Sequence, residues 1–536
     1  MSEDRLRENP VTRLSRLIHS EFWVALQRTI SYEQLEAAIQ DPKNSTKQLL
    51  LYIPYGAKDQ LGYYSSLKAK MPNFEVHVLP QHVTSRVVCD LNSKPGLLAL
   101  ASTTIKDEVM GELHIRGLPY IVPGGLYNEF YGWDSYMTAL GLLADNNISA
   151  AKSIVLHYCF SIEHYGMILN ANRTYYLGRS QPPFLTDLAL RVYDKIKGEE
   201  NSLGFLRYAI GAAINEYNNV WMAAPRYDSK TGLSRYYPEG SGVPSEALLS
   251  DFVGILQPFA QKNDLDIYQV IKAYNSGTVH EPELDEYFLH DRAARESGHN
   301  STRRFDSKCA NLATIDLNSL LYKYEVDIAR TILNVFRNEF SVPPQFCTGT
   351  VSSTIERAVV WERRHRRRKM IVDKYLWNEA KGMYFDYDIV TQEQKHYESA
   401  TTFWALWAGL ASPQQAAAMV SSALPKFEAY GGLCATTEES RGPIGLDRPQ
   451  TEWDYPFGWA HHQILAWIGL IRYGYVEEAA RLTYRWLFMI TKVFVDYNGV
   501  VVDMYDVTKP VDAHRNSVQG DPQDPLRLFK GVNRTG

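Results

Sequence analysis

The 536-residue chain predicts a large all-α protein. Two observations carry that reading. Apolar residues recur at spacings of three and four through most of the chain beyond about residue 92. Hydrophobic residues make up 45% and aromatics 12%, ample for a large core, and no low-complexity linker divides the chain. One catalytic-type domain with a short N-terminal extension follows.

In order along the chain, residues 1–10 read as a frayed arm, charged and lacking an apolar signal core. From Val11 to about Leu100 a helical stretch, Arg13–Leu26, mixes with short strand-like pieces at Leu49–Pro54 and Val76–Leu79, a segment expected to pack on the main body. Helical spacing then marks Met137–Leu143, Ala151–Ile162, Leu185–Lys197, Gly204–Met222, Ile315–Glu339, Thr401–Leu410, Pro413–Leu424, Ile464–Tyr473 and Glu477–Lys492. A basic run, Arg363 to Lys369, lies in a helical stretch opened by Glu356 and closing near Lys374. A solvated helix face is the expectation there, with a polyanion or nuclear-localisation patch as the sharper alternative.

The net charge of −5 gives no reason to expect nucleic acid as a partner. No apolar run reaches the length of a membrane span. Five scattered cysteines, without CxxC spacing, fit free thiols in a reducing compartment and imply neither disulfides nor zinc. A cytoplasmic soluble protein without cofactor is the expectation.

Two aromatic blocks carry the chemistry. In Val122–Leu143 the turn Pro123-Gly124-Gly125 delivers Tyr127, Phe130, Tyr131 and Trp133 around Asp134, just ahead of an apolar helix. The second block, Glu452–Gln463, repeats the logic with Trp453-Asp454, Pro456 and Gly458-Trp459. Aromatic faces cover the C–H surface of a pyranose and carboxylates bridge its hydroxyls, so each block suits a sugar pocket.

These blocks resemble the two signature motifs of the trehalases, glycoside hydrolase family 37. The stretches Asn170–Phe184, Phe288–Asn300, Leu312–Glu325 and Tyr397–Leu410 are similar to the fungal, cytosolic, neutral members, and the resemblance runs from about Glu8 to Lys530. It implies an (α/α)6 toroid of the six-hairpin glycosidase type, with the active site at one mouth of the ring and a short mixed N-terminal segment. It also implies hydrolysis of trehalose with inversion, by an acid on the leaving oxygen and a base holding water on the opposite face. By the same resemblance Tyr127, Trp133, Asp134, Asn170, Arg179, Glu246, Ser297, Gly298 and Trp453 stand at substrate-binding positions, as does Leu126.

The departures from the family pattern fall on the chemistry. The acid position, last in an ESGHD-type motif, is Asn300 in Glu296-Ser297-Gly298-His299-Asn300. An amide delivers no proton, and general acid catalysis is worth typically 10²–10⁴-fold. The base position of a VVEKYDV-type motif is Asp503, one methylene short. A retreat of about 1 Å can cost 10²-fold. Leu126 replaces an arginine, Glu452 a glutamine and His461 a proline. Relatives continue through a GFGW motif into a last helix where this sequence ends at Gly536, so the ring is expected to lack that helix. Glu296, Asp506 and His299 are the nearby groups that could substitute as acid or base. The family's regulatory extension and calcium segment find no match before Glu8, so no calcium is expected. Three functions follow: a trehalase of lost or strongly reduced activity, a non-catalytic trehalose-binding or regulatory pseudoenzyme, and an enzyme retooled for another small sugar or metabolite.

Overall fold

The structure is a computed structural model that describes residues 5, 7–41, 48–106, 113–124, 127–247, 249–350, 354–445 and 448–514. Leu126 and residues 515–536 lie outside the described residues.

The N-terminal stretch opens with helix α1 (Pro10–Leu17), capped by the Asn9 side chain on Val11 N–H and with Pro10 at its first turn. It runs on through a π turn (Ile18–Phe22) into Trp23–Leu26. Trp23 then donates its indole N–H to Asp145 at 2.6 Å, pinning this helix to the ring. The strand-like pieces form a small parallel sheet in the order β2 (Phe74–Val78), β1 (Leu49–Ile53), β3 (Leu97–Leu98), with Leu51 opposite both Val76 and Leu97. Its central strand is buried on both faces from Leu50 to Ile53, as a parallel sheet requires, while Val76 and Val78 on the edge strand are half-buried.

The main body is a ring of helical hairpins. Each pairs an inner helix with the outer one that follows it: α2 (Gly132–Ala144) with α3 (Ile148–Tyr165), α4 (Leu185–Ile196) with α5 (Ser202–Glu216), and α9 (Ile315–Asn334) with α10 (Ala358–Tyr375). Next come α11 (Trp404–Ala408), which packs on α9 and is followed by the short α12 (Pro413–Ala418), and the pair α13 (Ala460–Arg472) with α14 (Val476–Asp496), α13 also packing on α11. Burial sorts the two layers. In α11 every residue is buried, and α9 is buried unbroken from Ile315 to Ala329. Outer helix α10 buries only Ala358, Trp361, Arg368 and Val372. A helix apolar on all sides must lie inside, and one with a narrow stripe lies outside.

Several charges inside the ring are paired. Lys323 on α9 meets Asp327 at 2.6 Å and Asp187 on α4 at 3.0 Å, tying neighbouring inner helices together. The basic run departs from the solvated face expected of it. Arg363, Arg366 and Arg367 are exposed, whereas Arg368 is buried and pairs with Glu325 at 2.7 Å.

Among the helices that the sequence reading did not anticipate are α6 (Val253–Lys262), α7 (Ile267–Asn275) and α8 (Pro282–Glu296). They enclose a separate small core of Val243, Phe252, Leu256, Tyr274, Leu284 and Phe288. Helix α8 carries the Glu296–Asn300 motif to the mouth of the ring. It ends on Ser297, and Gly298 takes a left-handed φ of 79°, which turns the chain out of the helix.

Candidate active site

The loop after α8 is fixed residue by residue. Ser301 accepts from Trp453 N–H at 2.9 Å, and Thr302 Oγ1 and Arg303 N–H donate to the Asp454 carboxylate at 2.8 and 2.7 Å. Arg304, fully buried, forks onto Asp386 with two contacts of 2.7 Å and reaches Asp316 at 2.7 Å. Asn300 is the exposed residue at the head of this anchored loop.

Asp503, the position expected to hold the base, arrives from the far end of the chain. Strand β5 (Met504–Asp506) pairs antiparallel with β4 (Phe457–Trp459), setting Met504 opposite Trp459. Trp459 stacks on Trp453 at 4.0 Å, nearly parallel. The two positions therefore meet across one aromatic stack: Trp453 is bonded to the Asn300 loop, and Trp459 is held beside Asp503.

Asp503 remains open to solvent and accepts from Met504 N–H at 2.9 Å. Protein walls thin the hydration of its carboxyl, and the like charges of Glu452 and Asp134 act in the same direction, raising its pKa to about 6. Tyr127 feels the same group. Burial, followed by the charges of Asp503, Glu452 and Asp134, pushes its phenol well above the usual range. Three acids thus converge on one tyrosine. Two of them, Asp134 and Asp503, are sequence-selected site residues, and the third is the departure Glu452.

Trp133 is buried and does not present an open face. His461 stacks on it at 4.1 Å, and a Cβ on Gly298 would come within 2.5 Å of its ring. His461 also places Nε2 3.4 Å from Asp134 Oδ1. The residue that departs from the family's proline therefore covers an indole and touches a carboxylate, both expected to serve sugar binding.

Asn170, Arg179 and Glu246 form the adjoining wall. Asn170 accepts from Gly132 N–H at 3.1 Å, donates its backbone N–H to Arg179 at 2.8 Å, and sends Nδ2 to the Arg295 carbonyl at 3.4 Å. Arg179 pairs with Glu246 and lies 4.8 Å over the Tyr176 ring. Burial works to raise the Glu246 pKa, but Arg179 and Arg295 together hold it below the usual carboxylate range.

None of the three substitutes is placed to take over the chemistry. Glu296 is wholly buried, pairs with Arg226 at 2.6 Å and accepts from Ser180 and Tyr237 N–H at 3.0 Å each. Asp506 is buried in β5 and accepts from the Thr508 hydroxyl at 2.6 Å. His299 is buried, with Nδ1 2.9 Å from the Ser297 carbonyl, an acceptor only, so Nδ1 carries the proton. Burial first, then the charge of Arg304, drives its pKa well below 6.5 and keeps the ring neutral.

Sequence reasoning missed the inner aromatic cage. His462 stacks on His299 at 5.2 Å, and Trp404 stands 6.3 Å from Trp133. Trp404 lies in an apolar helical run and His462 beside the flagged His461, so local signals existed for the helix but not for the meeting.

Among the described residues no group of three or more His, Cys, Asp or Glu could hold a metal, and no helix is long and apolar enough to cross a membrane.

Comparison with known proteins matches this geometry to a family. The family model for trehalase fits residues 1–525. A cytosolic neutral trehalase of Pyricularia oryzae is 56% identical over 541 residues, covering all of this chain and 73% of that protein. One from Neurospora crassa is 56% identical over 542 residues, covering all of this chain and 73% of that protein. The solved neutral trehalase of Saccharomyces cerevisiae superposes with a TM-score of 0.89 at 49% identity, over 94% of this chain and 91% of its own. That likeness makes the ring of hairpins the (α/α)6 fold expected from the motifs. With the mouth built from both signature blocks and the match spanning nearly its full length, the chain belongs to the trehalase family.

Proposed function

We propose that this protein, in the cytoplasm, recognises trehalose or a closely related small sugar and hydrolyses it extremely slowly or not at all. The observation that carries the reading is Asn300, an amide at the head of a loop whose following residues are all anchored. An inverting mechanism needs a proton on the departing oxygen at that point. Glu296 is locked to Arg226 and His299 is held neutral, so neither supplies it. The opposite half of the reaction is weakened but present. Asp503, with a pKa near 6, is mostly ionised at neutral pH and can still order a water.

The test is glucose release from trehalose by the purified chain across about pH 4 to 8, beside calorimetric titration of trehalose. No detectable glucose is expected, with saturable binding. Turnover in the ordinary enzymatic range of about 1–10³ s⁻¹ would sink the reading. The double variant Asn300→Asp with Asp503→Glu is expected to raise hydrolysis by at least ~10²-fold, the low end of what a positioned acid contributes. No gain would move the lesion to Leu126 or His461.

A second reading, an enzyme retooled for another substrate, has one observation in its favour. A carboxyl of pKa about 6 beside Glu452 is suited to give a proton as well as to take one. Turnover of other glycosides with trehalose left intact would select it.

A further inference from the structure

The basic run on α10 builds a second cavity, on the outer wall of the ring. Its volume is about 190 Å³, several times the ~30 Å³ of one water. Arg364, Arg367 and Arg368 line it from α10, Glu325 from α9, and Tyr217 and Asn218 from the π turn that ends the outer helix α5. The hairpin carrying Tyr227 and Gly232 closes one side.

The charges in this cavity do not cancel. Arg368 is consumed within the fold, donating to Glu325 at 2.7 Å and to Asn318 Oδ1 at 3.0 Å. Glu325 Oε1 also accepts from the Tyr217 hydroxyl at 2.6 Å. Arg364 and Arg367 remain, and among the described residues neither makes an ion pair with a carboxylate. Arg364 is flattened against Trp361, its guanidinium carbon 4.3 Å from the ring centre, so the fork is held in one plane. Its Nη1 is shut off from solvent without a hydrogen-bond acceptor, an expensive arrangement for a charged donor. Across the cavity, Glu325 Oε2 is a buried acceptor without a donor.

We propose that this cavity binds the phosphate monoester of a small polyol, such as a sugar phosphate. A pre-oriented arginine fork with a second guanidinium beside it matches the oxygens of a phosphate dianion, and arginine is the residue suited to that bidentate geometry. The unfilled acceptor on Glu325 calls for a hydroxyl donor on the same ligand beyond its phosphate group, whereas inorganic phosphate, HPO4²⁻, offers only the P–OH of the group the arginines take. The site takes its ligand on the outer wall, independently of whether the mouth turns over trehalose.

The test is isothermal titration of the full chain with glucose 6-phosphate, inorganic phosphate and glucose, at constant ionic strength. Glucose 6-phosphate is expected to bind with a Kd below about 1 mM and more tightly than phosphate, while any binding of glucose is expected to be the same in the natural chain and in Arg367→Glu. Arg364→Gln with Arg367→Gln is expected to weaken the phosphate ester at least tenfold. Because Arg364 packs on Trp361, Arg367→Glu alone, at an exposed position, serves as the variant that keeps the fold, and the same loss is expected. Equal affinity in the natural chain and Arg367→Glu would overturn the site. Phosphate binding as tightly as its sugar ester would overturn the polyol assignment.

Discussion

Two sets of acidic and amide groups, one buried and one exposed, live under different rules. The frame set, Glu296, Asp316, Asp386 and Asp454, is buried, and each carboxylate is matched by an arginine, a hydroxyl or a backbone N–H. The mouth set, Asn300 and Asp503, meets solvent, and the Asp503 carboxylate accepts from Met504 N–H rather than from any frame residue. The buried partners of the first set tie the fold together, and under the proposed function the chemistry rests on the second. On that reading, both proposed catalytic positions can change while the architecture around them still assembles.

The largest effect that tests this division is removal of the frame's central cation. Arg304→Met leaves Asp316 and Asp386 buried with their main partner gone, and breaking a buried pair costs about 3–5 kcal/mol. Urea denaturation of the natural chain and the variant reads it. A loss below about 1 kcal/mol would mean that the mouth does not rest on this network.

Gly298→Ala comes next. The residue sits at φ 79°, where a Cβ costs roughly 1–2 kcal/mol, and the added carbon would land 2.5 Å from Trp133. Overpacking adds about 1–3 kcal/mol, so a lowered midpoint and a shift in tryptophan emission are expected together. Asn300→Asp, by contrast, lies on the mouth side of the division, and its stability change is expected within about 0.5 kcal/mol. A large change there would erase the distinction.

The helices legible in the sequence were those with apolar spacing over two turns or more, such as α4 and α14. Helix α9 stops at Asn334, short of the expected Glu339, because Arg337 and Asn338 adopt positive φ. Helix α8 was missed because its sequence, PELDEYFLHDRAARE, is too charged for its apolar positions to stand out. Trp133 and Trp453 were flagged through motif, but their surroundings were not legible. His461 lies over Trp133 from a position more than three hundred residues away, and no local pattern encodes that contact. Arg368 shows the same limit. Six of seven neighbours in a basic run reach water, and the one that turns inward is chosen by Glu325 on another helix.

The smallest effect concerns the mouth alone. Asp503 titrates near pH 6 through thinned hydration first, and then through the charges of Glu452 and Asp134. An unfolded aspartate titrates near 3.9. Its folded pKa is the higher of the two, so the protonated form is favoured in the fold. The resulting contribution to stability is fully present below about pH 4 and fades as pH rises through 6. Glu452→Gln removes one like charge and is expected to lower the Asp503 midpoint without bringing it to the unfolded value, since the walls and Asp134 remain. Carboxyl carbon NMR, with Asp503→Asn to assign the signal, follows that midpoint directly. A midpoint unmoved by Glu452→Gln would show that hydration alone sets it, and that Glu452, for all its closeness to Tyr127, does not act on the base.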